Sequence, residues 1–214
     1  MIEFIQNLTP AEVELWESLD TPLAIQNFLD SMPYVGEERN RSPLNVLRDR
    51  QCHCLDGGLF AALALHRLGF PPLIMDLVPE AGKDDDHVLA IYRVNGCYGA
   101  IAKSNFVGLR FREPVYRTLR ELAMSYFEGF YNINGEKTLR GYTRPLNLLR
   151  FRRLNWAVDE RYVAIVVKHF YRRKSIPLLT AENIAILSPV DRRSYEAGML
   201  GVNYEGLYRP AVGL

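Results

Sequence analysis

The segment from Cys54 to Leu68 narrows most sharply what this chain can fold into. It reads Cys-Leu-Asp-Gly-Gly-Leu-Phe-Ala-Ala-Leu-Ala-Leu-His-Arg-Leu, apolar almost all the way round at helical spacing. A surface helix shows a polar face, so a helix without one is packed inside. Gly69 supplies a C-terminal cap and Pro71-Pro72 stops the helix. Gly57 and Gly58 cost helix propensity in the first turns. Their presence predicts that another part of the chain packs very close there.

The segments after this helix read as strands. Leu73 to Val78 is a buried strand. His87 to Val94 alternates, with Val88, Ile91, Tyr92 and Val94, and Asn95-Gly96 is a strong hairpin signal before a returning strand over Cys97 to Ala102. Upstream, Thr9-Pro10-Ala11-Glu12, Thr21-Pro22 and Ser42-Pro43 each open a helix with a capping side chain and a proline in the first turn. Downstream, helices are predicted from Pro114 to about Phe127, from Asp159 to about Tyr171, from Thr180 and from Ser188-Pro189, with a strand over Leu146 to Phe151. The expected architecture is α+β. A core over about residues 42–113 packs the Cys54 helix on a small antiparallel sheet, N-terminal helices precede it, and a helical extension over about 114–214 completes a single domain.

Bulk properties exclude several classes. The 214 residues carry 26 basic and 25 acidic side chains for a net charge of +1. That balance gives no overall attraction to nucleic acid or to an anionic membrane. No apolar run approaches the roughly 18–20 residues of a membrane helix. Met1 to Leu8 includes Glu3 and lacks the pattern of a secretory signal. Cys52, Cys54 and Cys97 are too few and too grouped for a disulfide framework, so free thiols in a reducing cytoplasm are expected.

The residues that carry chemistry are Cys54 and His87. A thiol reacts as thiolate, and a helix N-terminus favours that charge. A histidine within hydrogen-bond reach shares the proton, and a third group fixes its tautomer. His87 heads a strand that, packed on the Cys54 helix, would bring an imidazole to the sulfur. Gln51 is a candidate oxyanion donor alongside the Cys54 backbone N–H. Asp56 suits the helix dipole.

This order resembles that of transglutaminase-like proteins, relatives of the papain-like cysteine proteases. In them a cysteine opens the central helix, an acidic residue follows two positions later, and the helix closes toward Gly-x-Pro. Here the residues are Cys54-x-Asp56-x-Gly58-x-Phe60 and His66-Arg67-Leu68-Gly69-Phe70-Pro71, followed by His87-Val-Leu-Ala-Ile-Tyr92 and Asn95-Gly96. The match spans roughly residues 42 to 105. It implies a papain-like core and a Cys54–His87 centre for acyl transfer or hydrolysis on a peptide, protein or small amide, with no cofactor. Two positions depart from the pattern. His87-Val88-Leu89 stands for His-Ala-Trp, and Ala102 falls where an orienting aspartate belongs, leaving Asn105 or Ser104 to orient His87.

Two further readings stand beside the thiol enzyme. Transglutaminase-like domains also serve as inactive binding or scaffold modules, which the missing aspartate favours. A metal site using Cys52, Cys54 and His87 lacks the usual ligand spacing. Asp84-Asp85-Asp86 is a solvated loop whose field would also raise the His87 pKa or draw cationic substrates to the mouth of the site.

Overall fold

The computed structural model describes residues 2–209. Local capping chemistry sets the early elements. After α1 (Ile2–Gln6), the Thr9 hydroxyl accepts from Glu12 N–H at 3.3 Å and Thr9 N–H donates to the Glu12 carboxylate at 2.7 Å, a complete capping box for α2 (Pro10–Ser18). Thr21 caps α3 (Pro22–Asp30) and Ser42 caps α4 (Pro43–Asp49) in the same manner. The buried helix is α5 (Cys54–Arg67), closed by Gly69 at φ +91°, a backbone region that glycine enters at little cost.

Among the described residues seven strands follow: β1 (Leu73–Pro79), β2 (His87–Val94), β3 (Cys97–Ile101), β4 (Arg112–Tyr116), β5 (Leu139–Thr143), β6 (Leu146–Asn147) and β7 (Ser175–Pro177). They form one antiparallel sheet in the order β4-β3-β2-β1-β5-β7, with β6 also on β1. Asn95 and Gly96 both take positive φ in the β2–β3 hairpin, as the sequence predicts. The remaining helices are α6 (Leu119–Met124), α7 (Glu160–Phe170), α8 (Ala181–Ala185) and α9 (Arg192–Gly198).

The sheet separates two apolar clusters. Helices α1 to α5 and α7 build one, with Trp16, Leu29, Phe60 and Phe170, and it receives Val88, Ala90 and Tyr92 from β2. The other cluster takes Leu89 and Ile91 and is closed by Leu122, Tyr126 and Phe130. β2 is therefore buried on both faces, and its successive side chains serve different clusters.

Four expectations are corrected. The helical extension expected over 114–214 does not hold over the described residues 114–209, because β5, β6 and β7 come from that half and complete the sheet. Pro114 lies in β4, not in a helix. An edge strand tolerates the missing N–H, and α6 begins only after Thr118, whose hydroxyl accepts from Glu121 N–H at 3.1 Å. The strand expected over Leu146 to Phe151 lasts two residues, because the Asn147 side chain accepts from Leu149 N–H at 2.9 Å and turns the chain into a 3-10 helix. The last helix starts at Arg192, capped by Asp191. The stretch after Ser188 is held instead by Val190 N–H donating to Gly135 O at 2.9 Å.

Candidate functional site

Close packing on α5 explains its glycines. A Cβ on Gly58 would lie 2.8 Å from Val88 Cγ1, and one on Gly57 would overlap Lys103 Cβ. The neighbours are side chains of β2 and of the segment after β3, and they bring the first turn of α5 onto the start of β2.

Cys54 is the first residue of α5 and is 6% exposed. Its Sγ donates to Asp86 O at 3.7 Å. Tyr34 and Cys54 line the same pocket. Burial, then the charges of Asp86 and Asp85, push the thiol well above its ordinary range. The partial charge of one helix terminus does not offset burial beside two carboxylates. Cys54 therefore rests as a neutral thiol.

His87 does not partner it. Val88 packs on α5, so the side chain one residue earlier points to the other face of β2. There Nε2 is 2.7 Å from Leu109 O, a bond that Nε2–H donates, and the ring meets Tyr126 and Phe130 edge-on at 6.3 and 6.5 Å. Burial lowers the pKa to about 4, so the ring is neutral. The expectation that a strand-opening histidine reaches the sulfur fails by one residue of register, and Asp86 holds the α5 side. The acidic loop does not raise the His87 pKa either.

The two candidate orienting residues are also engaged elsewhere. Asn105 donates from Nδ2 to Asn203 O and accepts Asn203 N–H, both at 2.9 Å. Ser104 Oγ accepts from Phe106 N–H at 2.9 Å. Both share a small cavity of about 50 Å³ with His87, without a bond to its ring. The Ala102 backbone is read by the Gln26 amide, which donates to Ala102 O and accepts from Ala102 N–H, both at 3.0 Å. Gln51 is half-buried and is not among the residues lining the Cys54 pocket. The Cys52 thiol faces Met32 Sδ at 3.6 Å. Among the described residues no group of three or more His, Cys, Asp or Glu side chains is arranged to hold a metal ion.

Around Cys54 the structure gathers residues that local sequence did not single out. Asp76, in the middle of β1, pairs across the sheet with Val88 and so faces α5. It is 6% exposed, and its Oδ1 has no hydrogen-bond partner. Asp86 lies beside it, and the Tyr171 hydroxyl donates to Asp86 Oδ2 at 3.1 Å. Burial raises both carboxyls, Asp76 most; the charges of Asp86 and Asp85 push Asp76 further and that of Asp85 pushes Asp86, whereas the neighbouring Asp76 carboxyl lowers Asp86. A lone aspartate in Leu-Ile-Met-Asp-Leu-Val is the signal that marks it. Tyr34 and Tyr171 carry no such signal, because they arrive from distant loops.

The first turn of α5 also holds a loop in place. Asp56 is fully buried, Oδ1 accepts from Arg41 N–H at 2.8 Å, and the His53 ring lies 3.3 Å from the same oxygen. Burial raises Asp56 to about 7 even so. Above Cys54 lies an open pocket of about 420 Å³, lined by Tyr34, Glu37, Asp85, Asp86, Tyr171 and the segment Glu205–Arg209. That segment is fastened by Asn203, whose Nδ2 donates to Tyr34 O at 2.9 Å, and by Gly206, where a Cβ on Gly36 would come within 2.9 Å of Gly206 Cα.

No model of a known protein family matches the chain, and no curated protein matches it in sequence. Among the described residues no helix is long and apolar enough to cross a membrane.

Proposed function

We propose that this chain is a transglutaminase-like binding protein that receives a peptide, protein side chain or small amide in the pocket above Cys54 and holds it without cleaving it. The papain-like arrangement belongs to this reading, with α5 laid on β2 and a cysteine at its first turn. One observation carries it: the His87 imidazole is spent on Leu109 O, on the sheet face turned away from α5. A thiol without an imidazole and flanked by carboxylates is a poor resting nucleophile. A reducing, cytoplasmic setting goes with the reading, since Cys52, Cys54 and Cys97 are free thiols.

The test uses the full chain and a glutaminyl peptide. Expected are the absence of Cys54-dependent ammonia release or amine incorporation, and slower alkylation of Cys54 when the pocket is filled. Turnover abolished by Cys54→Ala would overturn the reading.

A second reading rests on Tyr171 and Asp86. The Tyr171 hydroxyl donates to the Asp86 carboxylate at 3.1 Å, and Asp86 and Cys54 line the same pocket. The Asp86 carboxylate would take the Cys54 proton as sulfur attacks the amide carbonyl, then return it to the departing amine. Water or a second amine would release the thioester. A hydroxylamine-trappable acyl adduct on Cys54, lost in Asp86→Asn, marks this alternative.

A further inference from the structure

Two basic runs of the sequence take no part in the site, and the fold brings them together. Arg150-Phe-Arg-Arg153 closes and follows the 3-10 helix after β6, and Tyr171-Arg-Arg-Lys174 follows α7. The Phe151 ring meets the His169 ring of α7 at 5.4 Å. Arg173 donates to Arg144 O at 2.7 Å and to Pro145 O at 3.1 Å. Arg150, Arg152, Arg153, Lys168, Arg172 and Lys174 are thereby collected on one face, all of them exposed.

The sequence supplies no acid to answer them. Between Glu136 and Glu182 the only acidic residues are Asp159 and Glu160 at the start of α7, and these are engaged by Arg161 and Arg39. Among the described residues none of the six cations takes part in an ion pair or a side-chain hydrogen bond. With these six set aside from the 26 basic side chains, the rest of the chain carries 20 against 25 acidic ones, so a net charge of +1 conceals a separation of charge. A cation at the end of a helix offsets its dipole, which accounts for Lys168 and, just past the end of α7, for Arg172. It does not account for the three arginines over 150–153.

Exposed aliphatic side chains stand among the cations. Leu149 is 38% exposed beside Arg150, and Ile165 is 40% exposed on the outer face of α7, between Arg161 and Lys168. A phosphodiester chain gains nothing from an aliphatic side chain, and single-stranded nucleic acid is held by stacking on aromatic rings. The face offers the Tyr171 ring, which its hydroxyl ties to Asp86. A bilayer accepts both kinds of group, because anionic headgroups attract the cations and the acyl boundary takes the aliphatic side chains. We infer that the face built by α7 with residues 144–153 and 171–174 docks on an anionic lipid bilayer. Tyr171, which also lines the Cys54 pocket, marks the margin where that pocket adjoins the docked face. The inference goes beyond the binding reading above and does not depend on it.

The test is flotation of the full chain with vesicles of equal parts phosphatidylserine and phosphatidylcholine, with phosphatidylcholine alone as the neutral surface. Binding is expected to the mixed vesicles only, and it should fall as salt is raised. The double variant Arg153→Gln with Arg172→Gln should weaken it about tenfold, since each cation near an anionic surface adds to the attraction. Both side chains are exposed and unbonded, so the urea midpoint of this variant should match that of the native chain. Arg117→Gln with Arg193→Gln, at two exposed arginines outside the face, should leave binding unchanged. Ile165→Gln should weaken it about threefold through the lost apolar contact. No flotation with the mixed vesicles, equal flotation with both compositions, or equal losses in the two double variants overturns the inference. So does a single-stranded oligonucleotide that displaces the vesicles and itself binds more weakly to the Arg153→Gln, Arg172→Gln variant, which would assign the face to nucleic acid.

Discussion

The Cys54 sulfur lies 3.7 Å from the backbone oxygen of Asp86, the residue before His87. The thiol is thus bonded to the peptide group that precedes the histidine, while the ring of that histidine is turned away to Leu109 O. This arrangement makes Cys54 a buried hydrogen-bonding partner of the strand start.

Thiol titration tests that assignment directly. Iodoacetamide rates against pH, read by peptide mass spectrometry, should give Cys54 an apparent pKa above the roughly 8.5 of a free thiol. Half-buried Cys97 should be labelled first. Asp86→Asn should lower the Cys54 value, since one of the charges raising it is gone. An apparent pKa below about 8.5 in the native protein contradicts the neutral-thiol assignment.

His87 makes a prediction with a definite sign. Its folded pKa of about 4 lies below the unfolded value of about 6.5, so its contribution to stability is complete above pH 6.5 and is lost as pH falls toward 4. The full effect is about 3 kcal/mol. The raised carboxyls of Asp76 and Asp86 act in the opposite direction, so the difference between native protein and His87→Gln isolates the histidine. Denaturant titrations at about pH 7 and about pH 4.5 should show a smaller acid loss in the variant. A catalytic imidazolium would give the reverse.

The two α5 glycines should resist substitution despite the gain in helix propensity. Alanine at Gly58 must move Val88, and alanine at Gly57 must move Lys103, whose ammonium is held by Leu29 O and Met32 O. Overpacking of this kind costs about 1–3 kcal/mol, against about 1 kcal/mol returned by propensity. Urea midpoints should fall for both variants, more for Gly57→Ala. A rise in either midpoint would mean that the contact yields.

The C-terminal segment should be detachable from the pocket. Asn203→Ala removes the side-chain bonds to Tyr34 O and Glu205 N–H, and Asn105→Ala removes the pair that Asn105 makes with the Asn203 backbone, while Val202 is the only buried residue over 199–209. Hydrogen exchange should then quicken over 199–209, and Cys54 should alkylate several-fold faster with little change in global stability. Unchanged labelling would show that the segment does not limit access to the thiol.

Much of the fold was legible locally. Thr9, Thr21 and Ser42 cap the helices they precede, Gly69 ends α5, and Asn95-Gly96 turns the hairpin, because each of these depends on residues a few positions apart. The α+β class followed from the same signals. Pro114 misled, since a proline reads as a helix start until an edge strand is known to be there. The pairing of β5 and β7 had no local signature at all, because it joins residues far apart in sequence.

The candidate site divides along the same line. Sequence alone determined that Cys54 opens a buried helix and that a strand beginning near His87 packs on it, because hydrophobic periodicity and capping residues specify which elements form. It did not determine which of two adjacent residues faces the sulfur. That depends on how β2 seats against α5, where Gly58 admits Val88 and turns His87 to the opposite cluster. Only the tertiary structure brought Asp76, Tyr34 and Tyr171 to Cys54, because a pocket is made by contacts between distant segments, and those contacts fix both its charge and the protonation of the thiol within it.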